Sequence, residues 1–161
     1  MIKQARKNFS EIGFFPVIGN QTPISLRKFD LVYSSFVTLE LKNKKELINY
    51  FKNSYKVLKE GGQMIVLTAN TEIYNPERDW VALKACDSNI LETGHKVKVT
   101  ATDINTTFED YFWTEEDLSQ TAIDVGFQVT EIIYPIGEEI DNIDWKDEWE
   151  YSTNIVMKLT K

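Results

Sequence analysis

The chain has 161 residues, 42% hydrophobic and 27% charged, with 25 acidic against 18 basic side chains and a net charge of −7. That suits one domain around one core, and the acidic balance argues against nucleic acid held through its phosphates, which needs a basic face. Met1-Ile2-Lys3-Gln4-Ala5-Arg6-Lys7 lacks the apolar run of a signal peptide, and no stretch approaches the ~18 apolar residues of a membrane span, so no membrane partner is expected.

Residues 1–9 read as a helix, with Ile2, Ala5 and Phe9 near helical spacing. Ile12 to Ile18 is a short apolar run closed by Gly19-Asn20, which predicts a strand and a turn. Phe29 to Phe36 is near-continuously apolar, the pattern of a strand covered on both faces of a parallel sheet. Asn43 with Glu46 three residues on predicts a helix N-terminus; Leu47, Phe51, Tyr55 and Leu58 trace its apolar stripe, and Gly61-Gly62 is expected to stop it. Gln63 to Thr68 is the next buried strand.

Residues 70–94 read as irregular, with a short helix around Asp79 to Ala85. Cys86 is the only cysteine, so no intrachain disulfide or thiolate cluster forms, no metal is expected, and a cytoplasmic location fits. His95, the only histidine, sits in a Thr93-Gly94-His95 turn and reads as a surface group rather than a base. Lys96 to Thr102 alternates, with Val97, Val99 and Ala101 on one face. Thr114 with Asp117 opens a helix over Glu115 to Val125, and Gly126 ends it. Phe127 to Tyr134 and Asn154 to Leu159 are the final strands. Between them, Glu138 to Glu150 carries seven acids and one base, which reads as a solvated loop face. Strands alternating with helices, then a last pair of strands, indicate an open α/β sheet that binds ligands at the carboxyl ends of its strands.

Three segments carry a resemblance. Phe29-Asp30-Leu31-Val32-Tyr33-Ser34-Ser35 resembles the fourth-strand motif of class I S-adenosylmethionine (SAM) methyltransferases. Tyr55-Lys56-Val57-Leu58-Lys59-Glu60-Gly61-Gly62-Gln63-Met64-Ile65-Val66 is similar to their helix-to-fifth-strand signature, with Glu60 at the place of the usual proline. Asp124-Val125-Gly126-Phe127-Gln128-Val129 resembles the Ala-Gly-Phe turn into a late strand. Met1 to Asn8 looks like the helix after the family's second strand. The resemblance thus implies a single but incomplete methyltransferase domain over residues 1–161. Its fold would be a partial Rossmann-like α/β fold: an open, mostly parallel sheet with an antiparallel last strand, the first two strands and the Gly-rich SAM turn missing by truncation.

The resemblance implies SAM as the cofactor and a small-molecule acceptor as the partner. By position, Asn20 and Gln21 correspond to the turn that holds the adenine amino group, although an Asn that simply tolerates a tight turn fits as well. Ser34, Ser35 and Phe36 correspond to residues lining the methionine portion of the cofactor. Tyr111, Trp113 and Trp145 are candidate acceptor-binding residues; aromatic stacking on a planar acceptor and ordinary packing are both open for them. No catalytic residue is identified. The alternative is a non-catalytic, methyltransferase-like binding or assembly module, and a split enzyme completed by another polypeptide is a third reading. A strand lacking its ladder partner also predicts marginal stability, a homodimer through the exposed strand edge, or a shift of the strands concerned.

Overall fold

The computed structural model describes residues 2–14, 28–86 and 91–161. In chain order the elements are α1 (Ile2–Asn8), β1 (Phe29–Ser35), α2 (Lys44–Val57), β2 (Leu58–Ala69), β3 (Leu83–Ala85), β4 (Lys96–Ala101), β5 (Thr106–Tyr111), α3 (Glu115–Val125), β6 (Gln128–Ile133) and β7 (Asn154–Thr160), with short 3-10 turns between them. The main sheet has the order β1-β2-β7-β6. β1 runs parallel to β2, and β7 runs antiparallel to both β2 and β6. So β1, β2 and β6 share one direction, and the last strand is the antiparallel one inserted among them. The expected mostly parallel sheet with an antiparallel last strand is present.

Local chemistry sets the helix starts. The Asn43 side chain accepts from the Glu46 amide at 3.0 Å, while the Glu46 carboxylate accepts from the Lys42 amide at 2.9 Å, one residue before the usual capping-box donor. Thr114 accepts from the Asp117 amide at 3.1 Å, and Gly126 closes α3 in a left-handed conformation at φ 115°. Leu47 and Phe51 of α2 and Leu118 and Ala122 of α3 cover one face of the sheet, against Met64, Val66, Ile155, Met157 and Leu159. Each of the Leu, Ile, Val, Phe and Met side chains among these contributes about 1.5–3 kcal/mol when fully buried. Phe127 meets Phe51 and Tyr55 edge-on beneath the helices.

The opposite face of the sheet differs from expectation. β1 is not covered on both faces: Leu31 is 54% exposed and Tyr33 61% exposed. An apolar run states that a strand can be covered twice, not what covers it.

The Gly61-Gly62 pair does not stop α2 either. The helix ends at Val57, and Leu58 already pairs with Phe29. Between Phe29↔Leu58 and Leu31↔Gln63 the register jumps, and the glycines form the resulting bulge. Gly61 takes φ 72°, and a Cβ on Gly62 would lie 2.9 Å from the Lys59 carbonyl oxygen and 3.2 Å from that of Asp30.

A second, three-stranded antiparallel sheet, β3-β4-β5, lies beyond the carboxyl end of β2. Val97, Val99 and Phe112 pack with Ala69, Ile73 and Tyr74 in a small core of their own. The helix expected around Asp79 to Ala85 is absent; that stretch is extended and includes β3. Asp147 and Glu148 hold it open by accepting from the Asp79 amide at 3.1 Å and the Val81 amide at 2.8 Å. The strand expected over Ile12 to Ile18 is not formed at residues 12–14, and residues 15–18 lie outside the described residues.

Candidate functional site

The carboxyl ends of β1, β2 and β6 lie on one side of the main sheet, where open α/β sheets place their ligands. At the end of β1, Ser34 is buried and its Oγ has no hydrogen-bond partner. The Tyr50 hydroxyl of α2 lies beside it, short of full hydrogen-bond geometry; burial pushes the Tyr50 phenol well above its ordinary value, and its interaction with Ser34 draws it back in part. Ser35 is exposed. Phe36 is 43% exposed and left-handed, at φ 57° and ψ 12°. For a bulky L-residue that conformation costs about 1–2 kcal/mol, so surrounding contacts must impose it.

Those contacts are present. The Phe36 amide donates to the Leu67 carbonyl at 2.8 Å. The buried Thr38 and Thr68 hydroxyls meet at 2.5 Å, tying the Val37–Glu40 turn to the end of β2. The Trp113 indole N–H donates to the Leu41 carbonyl at 3.0 Å, which fixes the far side of the same turn. The end of β1 is therefore held in one shape, with an orphan hydroxyl inside and an exposed ring outside. Asn20 and Gln21 lie outside the described residues.

Trp113 is 5% exposed and Tyr111 is half-buried, both against the main core. Packing accounts for their contacts, and Trp113 also serves the β1 end through Leu41. Trp145 is elsewhere. It lines an apolar cleft of about 280 Å3 with Leu83, Pro135, Ile136 and Asn154, beyond the end of β6. Its indole N–H donates to Asp141 at 3.0 Å, and its ring lies where a Cβ on Gly137 would stand, 2.4 Å from that ideal position. The three aromatic candidates thus do not converge.

Two groups emerge that sequence reasoning missed. Glu148 is 7% exposed, in a run expected to be solvated; its carboxylate accepts from the Val81 and Lys146 amides and builds the wall of the Trp145 cleft. Asp110 is 8% exposed at the end of β5, opposite Val97, and accepts from the Tyr74 hydroxyl at 2.9 Å. Burial raises the Asp110 carboxyl above its ordinary value; the Tyr74 hydrogen bond opposes this, and Glu40 of the turn after β1 adds to it. β5 shows no alternation that would have marked Asp110 as inward-facing in the sequence. His95 is exposed with Nδ1 3.3 Å from Glu92, as the turn predicted. Among the described residues no group of three His, Cys, Asp or Glu side chains is placed to hold a metal, and no helix is long and apolar enough to cross a membrane.

No protein-family model matches the chain, and no curated protein sequence matches it. Solved structures do. An S-adenosylmethionine-dependent methyltransferase from Mesorhizobium loti superposes with a TM-score of 0.68 at 17% identity, over 100% of this chain and 76% of its own. One from Clostridium acetobutylicum gives 0.63 at 16% identity, over 99% and 70%. The glycopeptide N-methyltransferase MtfA, solved with SAM, gives 0.62 at 11% identity, over 98% and 72%. The chain spans 65% of the length of a similar Listeria monocytogenes structure. With its parallel strands, the helices on one face and the antiparallel strand between β2 and β6, this chain has the fold of the class I SAM-dependent methyltransferases.

Proposed function

We propose that this chain serves SAM-dependent methyl transfer to a small-molecule acceptor. The observation that carries the reading is the end of β1, where the unpartnered, buried Ser34 hydroxyl and the imposed left-handed Phe36 stand at the carboxyl edge of a methyltransferase-type sheet. These residues fit one side of a SAM site: the buried Ser34 hydroxyl, beside that of Tyr50, has capacity for a further hydrogen bond, and Phe36 offers an apolar surface. SAM, when bound, supplies a methyl group on an already activated sulfonium. The task left to the chain is alignment and exclusion of water. Ser34, Ser35 and Phe36 would hold the cofactor, with Asn20 and Gln21 at its adenine end. Of the acceptor-binding candidates, Trp113 is tied to the turn after β1 through Leu41, with Tyr111 two residues before it, whereas Trp145 and its apolar cleft stand apart beyond β6. The net charge of −7 disfavours a nucleic-acid acceptor.

A second reading, a non-catalytic binding or assembly module of the same fold, is favoured by one observation: the 161 residues contain no Gly-x-Gly turn. For that reason we expect weak SAM affinity from this chain alone. Calorimetric titration separates the two. A Kd between about 1 µM and 1 mM supports the methyltransferase reading, and no heat of binding at roughly 1 mM SAM supports the module.

A further inference from the structure

We propose that the cleft lined by Trp145 and Glu148 is a binding site for a small organic ammonium, a protonated amine carrying an apolar body. The cleft encloses about 280 Å3, near the lower end of small-molecule pockets at roughly 300–1,000 Å3. Leu83, Pro135, Ile136 and the Trp145 ring give it apolar walls. Among the described residues that line it Glu148 is the only charged one, and that charge is 7% exposed. A buried carboxylate without a cation is costly, and the Val81 and Lys146 amides offset only part of the cost. Each carboxylate oxygen accepts one of those amides and keeps a lone pair for another donor. The nearest base does not fill that role. Lys146 pairs with Asp79 at 2.7 Å, reaches Glu148 only through space, and lines the neighbouring cleft with Arg78 and Lys84.

The ring and the carboxylate are held on one frame. The Gly137 amide donates to the Glu148 carbonyl at 2.7 Å, and the Trp145 ring stands against Gly137 where a Cβ would otherwise be. The Asp141 carboxylate accepts from the Trp145 indole N–H at 3.0 Å and from the Glu138 amide at 2.9 Å, which fixes the ring's orientation. Asn154, at the start of β7, donates its amide N–H to Thr153 Oγ1 at 3.0 Å and keeps its carbonyl oxygen as an acceptor. An ammonium head satisfies this set as no other charge type does. It brings Glu148 a counter-charge, donates to oxygen acceptors, and is attracted by an indole face within about 6 Å. A neutral ligand would leave the carboxylate uncompensated, and an anion would be repelled by it. The sheet order places β6 at the edge opposite β1, so the inference does not depend on SAM binding.

Phenethylammonium, phenethyl alcohol and phenylpropionate share an aromatic body and differ in the charge of the head. Each is titrated into the full chain while the Trp145 indole N–H resonance is followed by NMR. The expected result is a Trp145 shift with the amine that saturates by about 50 mM, at an affinity at least about tenfold above that of the alcohol, and none with the carboxylate. An amine preference below about tenfold, or a Trp145 resonance unmoved at about 50 mM amine, would overturn the proposal. Glu148→Gln keeps the side chain's size and removes its charge. In a variant that retains the wild-type amide spectrum the preference should fall to about threefold or less, and a preference that survives would overturn the assignment to Glu148. The ligand series needs no variant, so it decides even where Gln cannot replace both amide-accepting oxygens.

Discussion

The indole N–H of Trp113 donates to the carbonyl oxygen of Leu41 at 3.0 Å, linking the strand that precedes α3 to the turn that follows β1. Trp113 packs in the main core, yet its polar atom serves the proposed cofactor side. Trp113→Phe should keep most of the packing and leave Leu41 without that donor. The expected cost is about 1–2 kcal/mol in a urea melt, with faster amide exchange in the Val37–Glu40 turn. Unchanged exchange there would show that the turn is held without Trp113.

The Thr38–Thr68 hydroxyl pair is buried and short at 2.5 Å. Thr38→Val keeps the shape and orphans Thr68, at a cost of about 1–3 kcal/mol. The double variant with Thr68→Val should cost less than the two single changes added together, since both partners then become apolar. A double-mutant cycle that adds up would contradict the pairing.

Asp110 has a raised folded pKa, so the folded state holds its proton to higher pH than the unfolded state. Stability should therefore fall as pH rises from the ordinary aspartate value of 3.8 through the raised folded value, and level off above it. Tyr74→Phe removes the hydrogen bond that holds the Asp110 pKa down, and the fall should extend to higher pH. Asp110→Asn should flatten that component. Urea melts between about pH 4 and 7 read both effects.

Gly137 has no room for a side chain, because the Trp145 ring occupies the space where a Cβ would project. Gly137→Ala should push the indole out and break its hydrogen bond to Asp141. The Trp145 indole resonance should move while the melting temperature changes little, the ring being only partly buried. A stationary indole resonance would show that the cleft wall adjusts.

The helix caps at Asn43, Thr114 and Gly126 were legible because each depends on neighbours within four residues. The alternation of Val97 and Val99 was legible for the same reason. The extended path of Asp79 to Val81 was not, because its hydrogen-bond partners, Asp147 and Glu148, lie more than 60 residues away in sequence. β5 was missed because Thr106, Thr107, Phe108 and Glu109 are all exposed and offer no buried alternation. The Gly61-Gly62 pair carried a genuine conformational signal, but a left-handed glycine serves a β-bulge as readily as a helix end. At the candidate site, the resemblance pointed to Ser34 and Phe36. The burial of the Ser34 hydroxyl beside Tyr50 and the left-handed backbone of Phe36 depend on contacts with α2 and β2 and were not legible there.

The most direct test of the central claim is a two-dimensional NMR titration of this chain with SAM. The account predicts fast-exchange shifts concentrated on Ser34 to Leu41 and the Trp113 indole, saturating above about 100 µM. No shifts up to the solubility limit, or shifts confined to residues far from the end of β1, would contradict it.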